Sequence, residues 1–395
     1  MTTNGAQADP RAGTYRRQPT GFRAFIPAPF PPDDLEFEDD FWIALSRADR
    51  ALARLDGAAS VLPDVDLFVR MYIFREATLS SQIEGTQASL ADVIGAQAEA
   101  PTIERRDAVS EIENYVKALN LGLNRLEELP VSLRLIKEIH RELMTGVRGG
   151  EPVHTPGEFR KSQNWIGGSS PGNARFVPPP VDDMWNALDV WEKAIHDLDR
   201  FPPLVHIGLL HSQFETIHPF LDGNGRVGRL LITFLLTERQ ILARPLLYLS
   251  IFFRAHQAEY YARLQAVRDH GDWEGWVRFF VDGVGETARE ATTTVRAILD
   301  LRERDRTHIS ALGRRSGRAL TLHDHLFSSP AVNARTVERV LHVSQPTANR
   351  LLNDLEELGL LIEWTGRQRD KSWLYADYFN IFVGGDEQES TVRAR

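Results

Sequence analysis

Between residues 218 and 229 the chain reads H-P-F-L-D-G-N-G-R-V-G-R, and this stretch limits the fold more than any other. Pro219 cannot continue a helix arriving through Leu204 to Ile217. The turn Gly223-Asn224-Gly225 is followed by an apolar, helix-like run from Leu230 to Leu236. The spacing therefore predicts two helices joined by a short polar loop, with Phe220 buried at its middle. A glycine-rich turn feeding a helix presents backbone N–H groups and the positive end of the helix dipole, an arrangement that binds phosphate. Arg226 and Arg229, three residues apart, share one face of the first turn. The dipole favours carboxylates at that end, so two arginines there make sense with an anion between them. His218 carries the side chain that titrates nearest neutrality and is the candidate proton acceptor. Asp222 is a hard oxygen donor, and Mg²⁺ takes one or two protein carboxylates beside substrate phosphates. Any one of these residues is ordinary in an interhelical loop. The set in this order points to a polyphosphate site.

The stretch resembles the signature of Fic-domain proteins, H-P-F-x-[D/E]-G-N-G-R-x-x-R, at every fixed position. Three upstream segments resemble the same family: P-G-E-F-R (156–160), N-W-I-G-G (164–168) and A-R-F-V-P-P-P (174–180). The resemblance covers most of the chain between about residues 20 and 265. It implies transfer of AMP from ATP onto a protein hydroxyl. His218 is then the general base and Asp222 the Mg²⁺ ligand. The nucleotide-binding run is Gly223, Asn224, Gly225, Arg226, Val227, Gly228 and Arg229, the first three forming the anion nest and the two arginines the phosphate clamp. Residues 246–265 resemble the family segment beside the adenine pocket, with His256 near a position where relatives carry Asn. Ser80-Ser81-Gln82-Ile83-Glu84-Gly85 resembles the family's inhibitory motif, [S/T]-x-x-x-E-[G/N]. By that resemblance Glu84 competes with the γ-phosphate for Arg229, and Ser80 steadies the inhibitory helix.

Composition sets the outer bounds. The 395 residues suffice for two or three domains, and the absence of cysteine excludes disulfides and thiolate chemistry. No apolar run approaches the ~20 residues of a membrane span, and the polar opening sequence lacks the regions of a signal peptide. These features fit a cytoplasmic protein. The net charge of −9 argues against a chain that coats nucleic acid along its whole surface.

In order along the chain, residues 1–18 are polar and expected to be disordered. Residues 20–36, rich in Phe and Pro, are read as an extended arm packed on its own domain, with a polyproline-type ligand as the alternative. Leu45, Ala48, Leu52 and Leu55 recur at helical spacing. Residues 66–90 predict a helix stopped at Gly85 and a second beginning near Ser89. Two helices follow within 107–146. Gly, Pro, Ser and Asn then cluster through 150–180, which predicts a small β-hairpin flap. A helix spans 181–198, with Trp185, Leu188 and Trp191 expected in the core. His206 and His211, five apart, lack the spacing of a zinc pair and are read as packing residues. Trp273 to Ile298 is expected as a last pair of helices.

The domain reading is an N-terminal helical region with the inhibitory helix (19–105), a mainly α catalytic core (106–300), a linker (301–319), a winged helix-turn-helix (320–383) and a disordered tail (384–395). In the winged helix, Ser344 to Leu358 is the recognition helix, capped by Ser344, and Arg367 to Lys371 the wing. Gln345, Thr347, Asn349 and Arg350 are expected to point outward. Between Arg302 and Lys371 there are 12 Lys or Arg against 9 Asp or Glu, a modest basic surplus that leaves DNA binding, homodimerisation and target docking all open. Expected partners are thus ATP and a protein hydroxyl, the chain's own included, with DNA as a further candidate. Two rival readings keep the same residues: removal of AMP by a water that Glu84 orients, and a winged-helix transcriptional regulator that senses nucleotide.

Overall fold

A computed structural model describes residues 10–60, 65–97, 106–147 and 155–383. Strands β1 (Gly13–Arg17) and β2 (Arg23–Pro27) pair antiparallel, from Gly13 opposite Pro27 to Arg17 opposite Arg23. Helices α1 (Asp39–Ala59), α2 (Val65–Ile83), α3 (Leu90–Gln97), α4 (Arg106–Arg125) and α5 (Leu133–Met144) follow. After an irregular stretch come α6 (Val181–Ile195), α7 (Pro203–Ile217), α8 (Asn224–Glu238), α9 (Ser250–Ala255), α10 (Gln257–His270) and α11 (Trp273–Ser310). The C-terminal part holds α12 (Ser316–Leu326), β3 (Ala331–Asn333), α13 (Ala334–Leu341), α14 (Gln345–Glu357), β4 (Ile362–Glu363), β5 (Ser372–Leu374) and α15 (Ala376–Asn380). The fold is mainly helical, as the periodicities predict. None of the described helices is long and apolar enough to cross a membrane.

The chain divides into two compact units that interleave in sequence: residues 1–53 with 113–288, and residues 54–112 with 289–395. Boundaries placed at 105 and 300 do not anticipate this interleaving, because contact between distant segments leaves no local mark in the sequence.

In the first unit α7 is the central helix. Every residue from Leu204 to Ile217 is buried, which explains why it is apolar nearly all round. Helices α6, α8 and α10 pack against it. Two indoles reach its carbonyls, Trp191 at Leu210 (2.9 Å) and Trp276 at Gly208 (2.7 Å), so the large rings are buried without orphaned N–H groups. Gly208 makes the packing close: a Cβ there would stand 3.0 Å from the Phe280 ring. The N-terminal arm joins this unit through Phe25, whose ring lies 5.5 Å from Phe176 and whose N–H donates to the Val177 carbonyl. Phe30 packs on Trp273. This is the packed arm, not a free ligand.

In the second unit α12, α13 and α14 pack on one another, and α13 also packs on β3 of a three-stranded antiparallel sheet of order β3-β5-β4. The element order there is helix, strand, helix, helix, strand, strand. Leu322, Val337, Leu351, Leu352, Leu355 and Trp373 form its core. Helix α2 belongs to the same unit. The Tyr72 hydroxyl donates to the Ala291 carbonyl (3.2 Å), its ring meets Phe382, and Arg75 pairs with Glu290.

Several expectations are corrected. Residues 13–17 are not disordered but form β1, because Tyr15 packs its ring edge-on against Phe25 and pairing with β2 satisfies the backbone. The small flap itself is present, its described residues closed by an antiparallel bridge from Ile166 to Phe176 and turned by Asn173, whose side chain accepts from Ser169 and Ser170 N–H. Residues 150–154 of that expectation lie outside the described residues, as do 1–9 and 384–395. Trp185 is 48% exposed and lies on the outer side of α6 against Phe159, whereas Leu188 and Trp191 are buried. The expected pair after Trp273 is one helix, since the buried series Trp276, Phe280, Val284, Ala288, Ala291, Val295, Ile298 never breaks step. Its Gly283 is there for space, a Cβ meeting Phe252 at 2.5 Å. Residues 301–319 are not a linker. The helix runs to Ser310, Arg302 and Arg306 both hold Asp324, and α12 starts at Ser316. Ser344 occupies the N-cap of α14 but makes no capping bond to it, its hydroxyl meeting that of Thr347 instead.

Candidate active site

The loop between α7 and α8 is fixed almost atom by atom. His218 ends α7 in the left-handed region (φ 49, ψ 61). That conformation is held from outside, because the His218 carbonyl accepts from both Arg160 Nε (3.0 Å) and Asn164 Nδ2 (3.0 Å). The Arg160 backbone N–H donates to the Pro219 carbonyl. Asn224 clasps Phe220 on both sides, its Oδ1 accepting the Phe220 N–H (2.8 Å) and its Nδ2 donating to the Phe220 carbonyl (2.9 Å). Gly223 is the N-cap of α8 at φ 78, with no side-chain cap on the helix. A Cβ at Gly223 would also stand 2.9 Å from Met144 Sδ, so glycine is needed there for both conformation and space.

The His218 side chain is set for one proton state. Its Nδ1 lies 3.3 Å from the Glu215 carbonyl, and a carbonyl only accepts, so the proton resides on Nδ1 and the Nε2 lone pair is free for chemistry. Burial pushes the imidazole pKa down to about 3, and the nearby Arg268 and Arg160 guanidiniums push in the same direction. Those two arginines are themselves buried, and burial lowers each to about 10, so both remain charged at neutral pH. Arg268 lies over the Phe176 ring at 4.0 Å and donates to the Thr216 hydroxyl and the Glu215 carbonyl. Arg226 and Arg229, on α8, are almost wholly buried too. Four guanidinium groups around this loop give a field suited to a polyanion.

The Asp222 side chain is 45% exposed, and one of its oxygens stands 3.7 Å from Arg226. Among the described residues no group of three or more His, Cys, Asp or Glu is placed to hold a metal ion. A cation here would have one protein carboxylate and would need further ligands from a nucleotide, which is how Mg²⁺ is commonly held. Asp222 fits that role.

Of the other expected site residues, Asn224, Gly225 and Arg226 form the first turn of α8, as the motif requires. Val227 is fully buried, and its N–H is taken by the Gly223 carbonyl. Gly228 serves the approach of α7 to α8, since a Cβ would lie 2.3 Å from Glu215 Oε1. These two positions shape the helix and put no side chain at the site. His256 is exposed at the junction of α9 and α10, its ring tilted 41° against Phe252 with centroids 4.5 Å apart. Ser80 and Glu84 lie in the second unit, Ser80 buried in α2 and Glu84 exposed just beyond its end, before Gly85 at φ 95.

Arg160 and Asn164 stand within the segments that resemble the family, but no sequence signal gives them a role, and none marks His140 or Arg268. His140 follows Ile136 and Ile139 on the buried side of α5, where one imidazole among apolar residues reads as packing. The two packing histidines behave as expected. His211 donates from Nδ1 to the Gly228 carbonyl and accepts the Tyr260 hydroxyl at Nε2.

Burial lowers the pKa of His206 to about 4 and of His211 to about 3. Together with His218, these side chains stay neutral in the fold, while the unfolded chain protonates them near their ordinary 6.5. Stability from them is complete above pH 6.5 and is lost as pH falls below it. The urea midpoint should therefore drop steadily from pH 7 to pH 4.5. His211→Gln should flatten that slope by about 1.4 kcal/mol per pH unit; an unchanged slope would show that His211 takes its proton normally.

Against known proteins, residues 42–124 match the Fic/DOC family N-terminal model and residues 130–236 the Fic/DOC family model. A protein adenylyltransferase Fic of Aedes aegypti is 31% identical over 183 residues, 46% of this chain and 33% of that one. Its counterpart in Drosophila erecta is 26% identical over 188 residues, 47% of this chain and 34% of that one. The chain thus spans about a third of the length of these curated relatives. Among solved structures, a Fic family protein from Desulfovibrio desulfuricans superposes with a TM-score of 0.57 at 19% identity, covering 86% of this chain and 97% of that one. A Fic domain containing signaling protein from Bacteroides thetaiotaomicron gives 0.51 at 15% identity, covering 63% and 95%. These two likenesses concern the fold.

Proposed function

The chain is a Fic-domain protein, and on that premise we propose that it transfers AMP from ATP to a serine, threonine or tyrosine hydroxyl of a protein. The observation that carries this reading is the His218 imidazole, held neutral with Nε2 unprotonated, one loop ahead of an uncapped helix start and its two arginines. In the reaction the target oxygen attacks the α-phosphorus, the bond from that phosphorus to the β-bridging oxygen breaks, and pyrophosphate leaves. The hydroxyl proton passes to His218 Nε2. The first-turn N–H groups of α8 with Arg226 and Arg229 bind the phosphates and stabilise charge gathering on the departing oxygens. Asp222 would hold Mg²⁺, which neutralises phosphate charge when bound. Incubation with ATP labelled at the α- or the γ-phosphate tests the reading. Label from the α-position alone should enter acid-precipitated protein, and γ-label in protein or no label at all would overturn it.

In this reading Glu84 is the inhibitory carboxylate. Its support is local: Ser80 is buried, α2 stops at Ile83, and Gly85 in the left-handed region turns the chain just past an exposed Glu84.

The winged helix offers a second partner, duplex DNA. Gln345, Asn349 and Arg350 on α14 and Arg367, Arg369 and Lys371 in the wing are exposed, while the acidic Glu356 and Glu357 sit at the far end of α14. A basic, amide-bearing first half is the part of a recognition helix that enters a major groove. Arg350→Ala with Arg367→Ala should weaken DNA binding and remove about one unit of log–log salt slope per lost phosphate contact. No shift of any duplex by the intact protein at low salt would remove DNA from the account.

A further inference from the structure

His140 is tied to three segments at once. Its Nδ1 accepts the Gly157 N–H at 2.8 Å, so that nitrogen is unprotonated. Its Nε2 therefore carries the proton and donates to the Asp222 carbonyl at 3.1 Å. The ring lies parallel to Phe220, 3.7 Å between centroids and 3° between planes. It is 2% exposed and projects from α5, a rigid element with a side-chain cap at Ser132. Gly157 is itself pressed against that helix, since a Cβ there would meet Arg141 and the Lys137 carbonyl at 3.0 Å.

We propose that His140 is a positioning residue for the divalent cation of AMP transfer, fixing the Asp222 carboxylate through the Asp222 backbone. This rests on the reading of Asp222 as the metal ligand. The physical reason is that Asp222 is restrained at both ends. Its Oδ1 accepts the Gly223 N–H at 2.6 Å, and its carbonyl is held by His140. With the carbonyl released, the peptide plane after Asp222 turns more freely and the side chain spreads over more rotamers, so a cation must order it on binding. Groups that orient a ligand from behind in this way typically govern about 10- to 100-fold in metal affinity. The same imidazole fixes the Gly157 turn, three residues before Arg160, which holds the His218 carbonyl. One ring thus sets the metal side of the loop and supports the base side.

Two isosteric substitutions separate the bonds. In His140→Asn the amide oxygen falls near the position of Nδ1 and can keep the Gly157 bond, while the donor to Asp222 is lost. In His140→Gln the amide nitrogen falls near the position of Nε2 and can keep the Asp222 bond, while the acceptor for Gly157 is lost. Free Mn²⁺ followed by electron paramagnetic resonance, with ATP present and each folded full-length variant, reads cation affinity without relying on turnover. His140→Asn should weaken Mn²⁺ binding about 10- to 100-fold, His140→Gln should stay close to the parent, and ATP affinity without metal should be the same in all three. Equal effects of the two substitutions, whether both weak or both strong, would show that the ring merely packs and would overturn the proposal. Asp222→Ala in the same assay keeps the two ideas apart. If it binds Mn²⁺ as the parent does, the assignment of Asp222 fails first and the role of His140 falls with it.

Discussion

His218→Ala is expected to lower AMP transfer by about 10²–10⁴-fold, the usual loss on removing a general base, while ATP binding stays near the parental value. The two functions separate because they rest on different atoms. In the proposed reaction the Nε2 of His218 acts on the incoming hydroxyl, whereas the start of α8 with Arg226 and Arg229 holds the phosphates. The substitution also places alanine at φ 49, a region that non-glycine residues enter at a cost and asparagine tolerates better. His218→Asn is therefore the companion variant. It keeps the backbone geometry under Arg160 and Asn164 and still removes the base. Both variants should be inactive to a similar degree in single-turnover assays at saturating ATP. An asparagine variant as fast as the parent would mean that the loop, and not the imidazole, supports the reaction.

Glu84→Gly is expected to do the opposite and raise transfer by about one to two orders of magnitude. A carboxylate and a γ-phosphate that compete for one guanidinium both form short, charge-assisted hydrogen bonds, so the balance between them is shallow. A bias of about 2–3 kcal/mol toward the carboxylate suppresses activity roughly 30- to 150-fold, which is the gain its removal returns. Ser80→Ala should give a smaller gain, because Ser80, buried in the helix, would only steady it. Glu84→Gly combined with Arg229→Ala should lose the gain, since the released clamp is absent. If Glu84→Gly transfers AMP no faster than the parent at saturating ATP and Mg²⁺, Glu84 has no inhibitory role.

What could be read from the sequence follows from how local each cause is. The loop between α7 and α8 was legible because its determinants are consecutive: Pro219 stops one helix, Gly223 turns, and the apolar run begins the next. The buried spacing of Leu45, Ala48, Leu52 and Leu55 and the stop at Gly85 were legible for the same reason. The roles of His140, Arg160, Asn164 and Arg268 were not, because each acts on atoms 52 to 82 positions away in the chain and none belongs to a local pattern. Trp185 misled because its helix is amphipathic and its register leaves that one indole at the edge, against Phe159. Strand β1 was missed because its sequence is polar; only pairing with β2 makes it a strand. Val227 and Gly228 stand inside the motif with their side-chain positions taken up by helix packing, which leaves their backbone as the part that could meet a nucleotide.

The central claim is that His218 serves as the base in AMP transfer to a protein hydroxyl, and intact mass spectrometry tests it most directly. The Glu84→Gly protein is incubated with ATP and Mg²⁺ beside a second sample that also carries His218→Ala, and each is then digested to locate any adduct. The account predicts that the first sample gains the mass of AMP on a Ser, Thr or Tyr oxygen, in itself or in an added protein extract, and that the second gains none. An adduct formed equally well without His218, or a gain of a single phosphate in place of AMP, would contradict it.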